Sequence, residues 1–580
     1  MPSPASAAPE RLSTRTFWIL LALAILSIAA GIGLREPTPP DEPRFALAAR
    51  HMVESGQWLF PQRGSELYAE KPPTFMWLQG LSYEVVRDWR IAFLLPSLLS
   101  ALLTLWLVYD LGKRLWNRQV GRYAALGVFV CLQFGLMAKR AQIDMTVVGM
   151  MTLSLWGLLR HLLRGPDWRA CWLGCFAAGL GTVTKGVGFL PMLVLLPWLA
   201  LRLAHGPRLQ WSAANLGRSA LGLGFFVLGA GVWLFPMVHA AYLGSDPALR
   251  RYANEILFRQ TATRYANAWH HVKPWWYFGQ VVLTLWLPLS WLLPWLAPAW
   301  WRRLKRLDAR YVLLLGWGLL VLLFFSASPG KREVYILPAL PAFVLAAAPL
   351  LPGLLKRGGV RRLLLGYLSV LAAVFLLGSV SALAGHGHWA DKQATMRGMD
   401  AATVRTMLTW LLALGVAWLA AALYGWRSRK VWPALVVATA ALWIVFGIGL
   451  TPALTAGSSA QALMQRVGQR IGPDAELALI GWREQNLLQA DRPARDFGFK
   501  KPWQQQWVEA EAWLAENPEK RWVFVLDEAL TPCADPQQVV AIGRSNRRAW
   551  LLVPGTAWKP GCATPKLEGQ AAYEVDDDDE

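Results

Sequence analysis

Residues 91–109 read IAFLLPSLLSALLTLWLVY, a run without a single charged side chain, and Lys113 and Arg114 follow it closely. An α-helix rises 1.5 Å per residue, so about 20 apolar residues cross the roughly 30 Å hydrocarbon core of a membrane. The run therefore predicts a transmembrane helix. The two basic residues mark its cytoplasmic end, because cytoplasmic loops collect Lys and Arg.

The same pattern recurs along the chain. Apolar runs of this kind number thirteen, the fifth and sixth being short, and they cover approximately residues 17–34, 91–109, 122–138, 144–160, 170–184, 187–202, 219–243, 275–299, 311–328, 334–352, 363–384, 404–425 and 432–451. Every second connecting loop is rich in Lys and Arg, which predicts a cytoplasmic N-terminus and a C-terminus on the other side.

The composition agrees with a membrane protein. The chain is 55% hydrophobic and only 16% charged, and it contains 34 Trp among 580 residues. Soluble domains contain about 25% charged residues. A soluble enzyme, a disordered chain and a disulfide-stapled scaffold are therefore excluded. The net charge of +21 is explained by the cytoplasmic loops, so we expect no nucleic-acid partner.

The chain divides into two parts of different character. Residues 1–454 form the expected membrane domain, whose first outer loop spans residues 35–90. Residues 455–580 are polar and predict an α/β domain with an acidic tail. Its β-like runs are Glu476–Trp482, Arg521–Leu526 and Ala549–Val553, with a helical pattern at Val508–Ala515.

Two of the five cysteines, Cys533 and Cys562, lie in this C-terminal part. On the oxidising side of a membrane they could form a disulfide. Two free thiols are the alternative, and the sequence leaves both open.

Polar motifs collect in the loops rather than within the apolar runs, which favours catalysis over transport. In the first outer loop Asp41 precedes an amphipathic pattern that begins at Phe45 and predicts a helix lying in the membrane interface. Asp41 is either a plain helix cap or a carboxylate that acts as a base or orients a sugar. Glu70 and Lys71 either form a surface ion pair, or Lys71 presents its positive charge to a phosphate.

The other outer loops add further charges, and by the charge count all of them lie on the same side. Asp144 opens the fourth run, and Lys185 lies between the two short runs. Lys185 either snorkels to the interface or meets an anionic headgroup. Nucleotide-binding glycine motifs are absent from the sequence. A lipid-phosphate donor therefore suits these outer cations and acids.

The motifs together resemble those of the bacterial lipid A aminoarabinose transferases, within the protein-O-mannosyltransferase-like enzymes of the GT-C architecture (GT83-like). The resemblance extends over most of the chain. It rests on Asp41-Glu42-Pro43-Arg44, Tyr68-x-Glu70-Lys71-Pro72, Asp144, Thr184-Lys185-Gly186, Pro274-Trp275-Trp276-Tyr277, Phe324-Phe325-Ser326, Lys331 and Tyr335-Ile336-Leu337-Pro338. About thirteen transmembrane helices followed by a periplasmic α/β domain also agree with that family.

The resemblance implies an enzyme of the bacterial inner membrane that uses a polyprenyl (undecaprenyl) phosphate sugar on the periplasmic face, by a mechanism expected to be inverting. Asp41 and Asp144 would be the catalytic acids. The donor phosphate would be held by Lys71, Arg259, Tyr68 and Tyr335, with support from Glu42, Glu70, Lys185 and Lys331. The acceptor would be lipid A or a related envelope glycan, and we expect a monomer.

Two departures from the family pattern concern a metal and the headgroup. Asn254 and Glu255-Ile256-Leu257-Phe258-Arg259 lack the histidines often found there, so a zinc site is in doubt, and Glu70 with His270 or His271 would be the replacement ligands. Gly330-Lys331-Arg332-Glu333 replaces a more usual Lys-Leu-Pro stretch. Transfer to another glycan or to a protein, and a lipid or oligosaccharide flippase, remain the alternative functions.

Overall fold

The computed structural model describes residues 11–204, 213–263, 271–386, 392, 399–559 and 561–562. Residues up to 456 are almost entirely helical. The α-helices of this part are Thr14–Ala29, Glu42–Ser55, Thr74–Val86, Trp89–Ala92, Leu95–Leu115, Arg118–Val130, Leu132–Ala138, Ile143–Arg164, Trp168–Lys185, Leu195–Ala204, Ala213–Leu243, Pro247–Asn254, Tyr277–Leu285, Leu293–Lys305, Ala309–Ala327, Leu340–Ala347, Leu351–Leu354, Gly358–Ser381, Ala401–Ser428, Val431–Ile444 and Thr451–Ala456. Shorter 3-10 and π segments interrupt or extend them at Leu190–Val194, Glu255–Thr263, Leu289–Leu292, Glu333–Ala339, Ala382–His386 and Val445–Leu450.

Helix covers most of each of the thirteen predicted apolar runs. Within the described residues, seven helices are long and apolar enough to cross a membrane, and the number is nine if two bent pairs each count as one span. The pairs bend by 71° between Val130 and Leu132 and by 102° between Leu285 and Leu289. The protein is therefore a multi-pass membrane protein, and the exact count of thirteen spans stays a prediction.

The first outer loop carries two helices and a small hairpin. The helix Glu42–Ser55 is followed by the antiparallel strands β1 (Gln62–Arg63) and β2 (Glu66–Leu67) and then by the helix Thr74–Val86. The predicted amphipathic helix is thus present, but it is buried on more than one face. Every residue from Glu42 to Ala49 is buried. The apolar side packs on Thr74–Val86, where Phe45 contacts Phe75, and the polar side contacts the C-terminal part, where Arg44 and Arg50 bind Glu484 and Leu488.

The last described residues form a mixed five-stranded sheet. Its strands are β3 (Glu476–Ile480), β4 (Ala494–Asp496), β5 (Arg521–Leu526), β6 (Val540–Ser545) and β7 (Arg548–Pro554), in the order β4-β3-β5-β7-β6. β3 pairs in parallel with β4 and β5, whereas β7 pairs antiparallel with β5 and β6. Three α-helices accompany the sheet: Gln461–Ile471, Glu484–Leu488 and Trp503–Glu516. Strands lie at all three predicted runs, and β4 and β6 are additional.

A close approach of two glycines joins the first helix to the end of the membrane part. A Cβ atom on Gly31 would lie 2.1 Å from the carbonyl oxygen of Gly447, and one on Gly447 would lie 2.1 Å from that of Ala30. The ammonium group of Lys139 donates to the carbonyl of Ala30 at 2.7 Å. The segment after Lys139, which leads to Asp144, is thereby tied to this junction.

Cys533 and Cys562 form a disulfide across 29 residues of sequence. The alternative of two free thiols is therefore wrong. Cys131, Cys171 and Cys175 are free.

We predict that denatured, non-reduced protein labels with a thiol reagent at three of its five cysteines. The substitution Cys533→Ser should lower the free energy of unfolding of the C-terminal sheet by about 3 to 4 kcal/mol, because a closed loop of this length restricts the unfolded chain. Cys131→Ser is the matched control for labelling and should reduce the count by one. Five labelled cysteines in the wild type would contradict the bridge.

Candidate active site

A buried carboxylate fixes the start of the first outer loop. The Glu42 side chain accepts two hydrogen bonds from Arg35, at 2.5 and 2.7 Å, and two from the backbone and hydroxyl of Thr38, both at 3.0 Å. It also accepts from the backbone N–H of Ala141 at 2.9 Å. Burial would raise the pKa of Glu42, but Arg35 and the hydrogen bonds outweigh it and lower the pKa. Glu42 thus joins the outer loop to the loop that precedes Asp144.

Asp41, next to this anchor, faces a different set of partners. It occupies the N-cap position of Glu42–Ser55 but makes no capping hydrogen bond with its side chain, so it is not a plain helix cap. Its Oδ2 accepts from Nε2 of Gln142 at 2.8 Å and from Nη2 of Arg332 at 3.3 Å. Burial opposes ionisation, but the charges of Arg332, Arg44 and Lys71 prevail and lower the pKa of Asp41.

Asp144 lies in the first turn of Ile143–Arg164 and forms an ion pair with Lys185, the last residue of Trp168–Lys185. The Lys185 ammonium group also lies over the ring of Tyr335, 4.8 Å from its centroid. The Tyr335 ring packs in turn against Phe325, with 5.3 Å between centroids. Three elements distant in sequence therefore bring Asp144, Lys185 and Tyr335 together.

Arg332 contacts Asp41 and is close enough to Asp144 to interact with its charge, although the sequence did not predict it as a site residue. Besides its bond to Asp41, it feels the negative charge of Asp144, and these acids outweigh burial and raise the pKa of Arg332. We call Asp41, Gln142, Asp144, Lys185 and Arg332 the two-acid cluster. The sequence shows a cationic residue at position 332, but it does not show that this side chain points towards Asp41.

Lys331, the neighbour of Arg332, binds backbone carbonyls instead of the acids. Its ammonium group donates to the carbonyl oxygens of Ser328 at 2.6 Å and Lys273 at 3.0 Å. Its backbone N–H donates to the carbonyl of His271 at 2.9 Å. Lys331 is 4% exposed, so it ties two outer loops together and holds the backbone next to Arg332.

A second group of charges joins the outer loop to the C-terminal sheet. Glu484, just after β3, is bound by Arg44 at 3.0 Å and by Arg63 at 3.3 Å. Glu70 is bound by Arg63 at 3.1 Å, by Lys500 at 3.3 Å and by Arg44 at 3.8 Å. We call these five residues the docking cluster.

The docking cluster includes Glu70 of the predicted Glu70-Lys71 motif. Burial alone would raise the pKa of Glu70, but Arg63 and Arg44, followed by Lys500 and Lys71, lower it to about 2. Lys71 influences both Glu70 and Asp41, so it lies between the docking cluster and the two-acid cluster. Tyr68 is 2% exposed, and its ring lies 5.3 Å from the Arg63 guanidinium.

Arg259 is more exposed than the acids. It lies in Glu255–Thr263, pairs with Glu255 at 3.9 Å, and is 57% exposed at its side chain. His270 lies outside the described residues, whereas His271 belongs to the loop that is tied to Lys331.

The Glu70 surroundings do not fit a divalent metal. Cationic side chains at 3.1 to 3.8 Å already occupy its carboxylate, and a metal ion would have to compete with them. In the part of the chain that the structure describes, no group of three His, Cys, Asp or Glu side chains is arranged to hold an ion.

Several known proteins are similar to this chain in sequence and in fold. Residues 70–233 match a family model described as dolichyl-phosphate-mannose-protein mannosyltransferase. The undecaprenyl phosphate-alpha-4-amino-4-deoxy-L-arabinose arabinosyl transferase of Pseudomonas aeruginosa (strain UCBPP-PA14) is 30% identical over 454 residues, which is 76% of each chain. The chain belongs to this arabinosyl transferase family. The resemblance predicted from the motifs is confirmed.

Other members of the arabinosyl transferase family match over a shorter region. The chain spans 58% of the length of transferase 1 from Pseudomonas fluorescens (strain Pf0-1), at 29% identity, and less than two thirds of two further relatives. The crystal structure of ArnT from Cupriavidus metallidurans bound to undecaprenyl phosphate has the same fold. Its TM-score is 0.74 at 21% identity, and the match covers 96% of this chain and 100% of that one.

We predict that Glu484→Gln destabilises the docked C-terminal sheet by about 3 kcal/mol, because it removes the negative partner of two buried arginines. Asp496→Asn is the matched control. Asp496 also joins the sheet to the outer loop, but it does so by accepting two exposed hydrogen bonds from Ser65, at 2.7 and 3.0 Å, so about 1 kcal/mol is expected. Thermal unfolding and limited proteolysis would measure both. Equal effects of the two variants would contradict the docking cluster.

The lowered pKa of Glu70 predicts a pH dependence of stability. A carboxyl group whose pKa falls on folding stabilises the protein above its unfolded pKa, here about 4.5, and loses that contribution as the pH falls towards about 2. The difference in unfolding temperature between wild type and Glu70→Gln should therefore narrow from pH 5 to pH 3. A difference that stays constant over this range would show that Glu70 is not held ionised by its neighbours.

Proposed function

We propose that this protein is an integral membrane glycosyltransferase of the bacterial inner membrane. It transfers a sugar from undecaprenyl phosphate to lipid A or a related envelope acceptor, on the periplasmic face. The observation that carries the proposal is the match over 76% of the length of a Pseudomonas aeruginosa arabinosyl transferase. The name of that relative indicates 4-amino-4-deoxy-L-arabinose as the sugar.

The two-acid cluster supports this chemistry. In the transfer, the bond between the anomeric carbon and the donor phosphate breaks, and negative charge grows on the departing phosphate. Fixed cations near that charge lower the barrier without rearranging, and one such contact is often worth about 3 to 4 kcal/mol. We assign the phosphate to Lys71, Arg259, Tyr68 and Tyr335, with Lys185 nearby.

The acids Asp41 and Asp144 are assigned to the sugar and the acceptor. The lowered pKa of Asp41 keeps it ionised at neutral pH, so that it can orient an acceptor or balance positive charge on the sugar. Glu42, Glu70 and Lys331 act indirectly, because each is engaged in a buried network that fixes loop positions.

The proposed topology follows from the charge pattern. Thirteen spans place the N-terminus in the cytoplasm and the α/β domain of residues 455–580 in the periplasm. The contacts of the docking cluster support a common side for the first outer loop and the C-terminal sheet. We propose that the protein acts as a monomer surrounded by membrane lipids.

We predict that Asp41→Asn and Asp144→Asn each lower sugar transfer by at least about 100-fold, because each removes a charge from the reacting centre. The measurement is a mass spectrum of lipid A from cells that express the wild type, either variant, or neither. Asp88→Asn is the control, since Asp88 caps the short helix Trp89–Ala92 through an exposed hydrogen bond.

A sugar-sized adduct with the wild type and the Asp88 variant, and none with the Asp41 and Asp144 variants, is the expected result. An adduct of equal abundance with folded Asp41→Asn would exclude Asp41 as a catalytic acid. An unmodified lipid A in all cells, with the wild type expressed and folded, would overturn lipid A as the acceptor.

A further inference from the structure

We propose that the protein binds the head groups of anionic phospholipids at a basic surface far from the two-acid cluster. In the proposed topology this surface faces the cytoplasmic leaflet of the membrane. The inference does not depend on the sugar, on the acceptor or on the transfer reaction. We call the following residues the basic surface: Arg302, Arg303, Lys305, Arg306, Arg357 and Arg362.

The basic surface is formed by a helix and a loop that lie side by side. The helix is Leu293–Lys305. The indole N–H of Trp300 donates to the carbonyl oxygen of Ala346 at 3.0 Å, and a Cβ atom on Gly359 would lie 3.7 Å from the ring of Trp295. Gly359 lies in sequence between Arg357 and Arg362, so the basic residues at the end of the helix and those of the loop belong to one region of the protein.

The helix has a buried apolar side and an exposed side that is basic and aromatic. Leu296 and Trp300, one helical turn apart, are buried, whereas the side chains of Arg302, Lys305 and Arg306 are exposed. Trp301 is 60% exposed, and the Lys305 ammonium group lies 5.3 Å from the centroid of its ring. Exposed indole rings beside basic groups are typical of the boundary between membrane and water. This side of the helix therefore suits the head-group region.

The positive charge of this region is not balanced by the protein. Residues 293–327 and 348–365 contain five and four basic residues against a single acid, Asp308. Asp308 already pairs with Arg310 at 2.9 Å and with Arg303 at 4.0 Å. Among the residues that the structure describes, no carboxylate forms an ion pair with the side chain of Arg302 or Arg306. Negatively charged head groups would supply the missing counter-charge, and each basic residue near such a membrane strengthens binding about five-fold.

Aromatic and hydrogen-bonding contacts hold the basic surface in place. Arg310 donates to the carbonyl oxygen of Leu115 at 3.3 Å, and its guanidinium group lies 5.2 Å from the centroid of the Trp116 ring. The guanidinium group of Arg303 lies 5.7 Å from the ring of Tyr311, which packs against Trp116 with 5.9 Å between centroids. Keeping a loop in the cytoplasm requires basic residues near the ends of the spans, but it does not require these contacts. The fixed arrangement supports a binding surface.

The experiment compares one anionic and one zwitterionic lipid with the same acyl chains: dioleoyl phosphatidylglycerol and dioleoyl phosphatidylcholine. Each lipid is titrated into the purified full-length protein in detergent, and native mass spectrometry measures the dissociation constants at low and high salt. The variant Arg302→Gln/Arg306→Gln removes two exposed charges and leaves the buried side of the helix intact. The matched control is Arg164→Gln/Arg169→Gln, which removes two exposed arginines from a different basic loop.

The wild type should bind phosphatidylglycerol more tightly than phosphatidylcholine. The ratio of the two dissociation constants should fall roughly ten- to thirty-fold in Arg302→Gln/Arg306→Gln, because two of the basic residues are lost, and it should stay within about two-fold in the control. High salt should reduce the preference of the wild type, since it screens exposed charges. Phosphatidylglycerol should also raise the unfolding temperature of the wild type more than that of Arg302→Gln/Arg306→Gln.

Three results would overturn the proposal: equal affinities of the wild type for the two lipids, a preference that salt does not reduce, or equal losses in the test variant and the control. If Arg302→Gln/Arg306→Gln does not fold, Arg357→Gln/Arg362→Gln decides in the same way from the loop. Sugar transfer is not measured, so failure of the proposed function would leave this test unaffected.

Discussion

The outer half of this protein depends on the burial of one carboxylate. An ionised group inside a protein is costly unless hydrogen bonds and an opposite charge compensate it, and Glu42 obtains both from Arg35, Thr38 and Ala141. These partners come from the segment between the first helix and Glu42 and from the loop before Asp144. Satisfying Glu42 therefore allows one arrangement of the two loops, and that arrangement places Asp41 against Gln142. The contact between Asp41 and Gln142 in the two-acid cluster therefore depends on the position of Glu42.

Adjacent residues in this site have separate tasks. The Glu42 side chain is buried, and both of its oxygens accept hydrogen bonds from Arg35. The Asp41 side chain is 16% exposed and forms an ion pair with Arg332. Lys331 is enclosed by backbone carbonyls, whereas Arg332 faces the acids. In both pairs one residue holds the backbone and its neighbour belongs to the two-acid cluster.

The sequence predicted the features that depend on local pattern. Apolar runs gave helices at all thirteen predicted positions. Short apolar runs in the polar C-terminal part gave β3, β5 and β7, and loop charge assigned the acids to one side. The motifs predicted the family. The sequence could not predict contacts between distant parts of the chain. Arg44 binds Glu484, 440 positions later, and no local pattern encodes that pairing. The burial of Glu42–Ser55 was missed for the same reason, since one side of this helix contacts the C-terminal helix Glu484–Leu488. Nor could the sequence tell which of Lys331 and Arg332 faces the acids, because that depends on contacts with Lys273 and Asp41 from distant parts of the chain.

The docking cluster explains why a sheet so late in the chain belongs to the same unit as the first outer loop. Without Glu484, Arg44 and Arg63 would lose one of the two carboxylates that they share, and two buried guanidinium groups beside one carboxylate repel each other. Arg63 also packs on Phe499, 3.8 Å from the ring centroid, so the sheet covers it as well as neutralising it. Glu70 can hold its position only when these arginines hold theirs, and Lys71 follows Glu70 directly. The placement of the lysine assigned to the donor phosphate thus depends on a carboxylate more than 400 residues away in sequence.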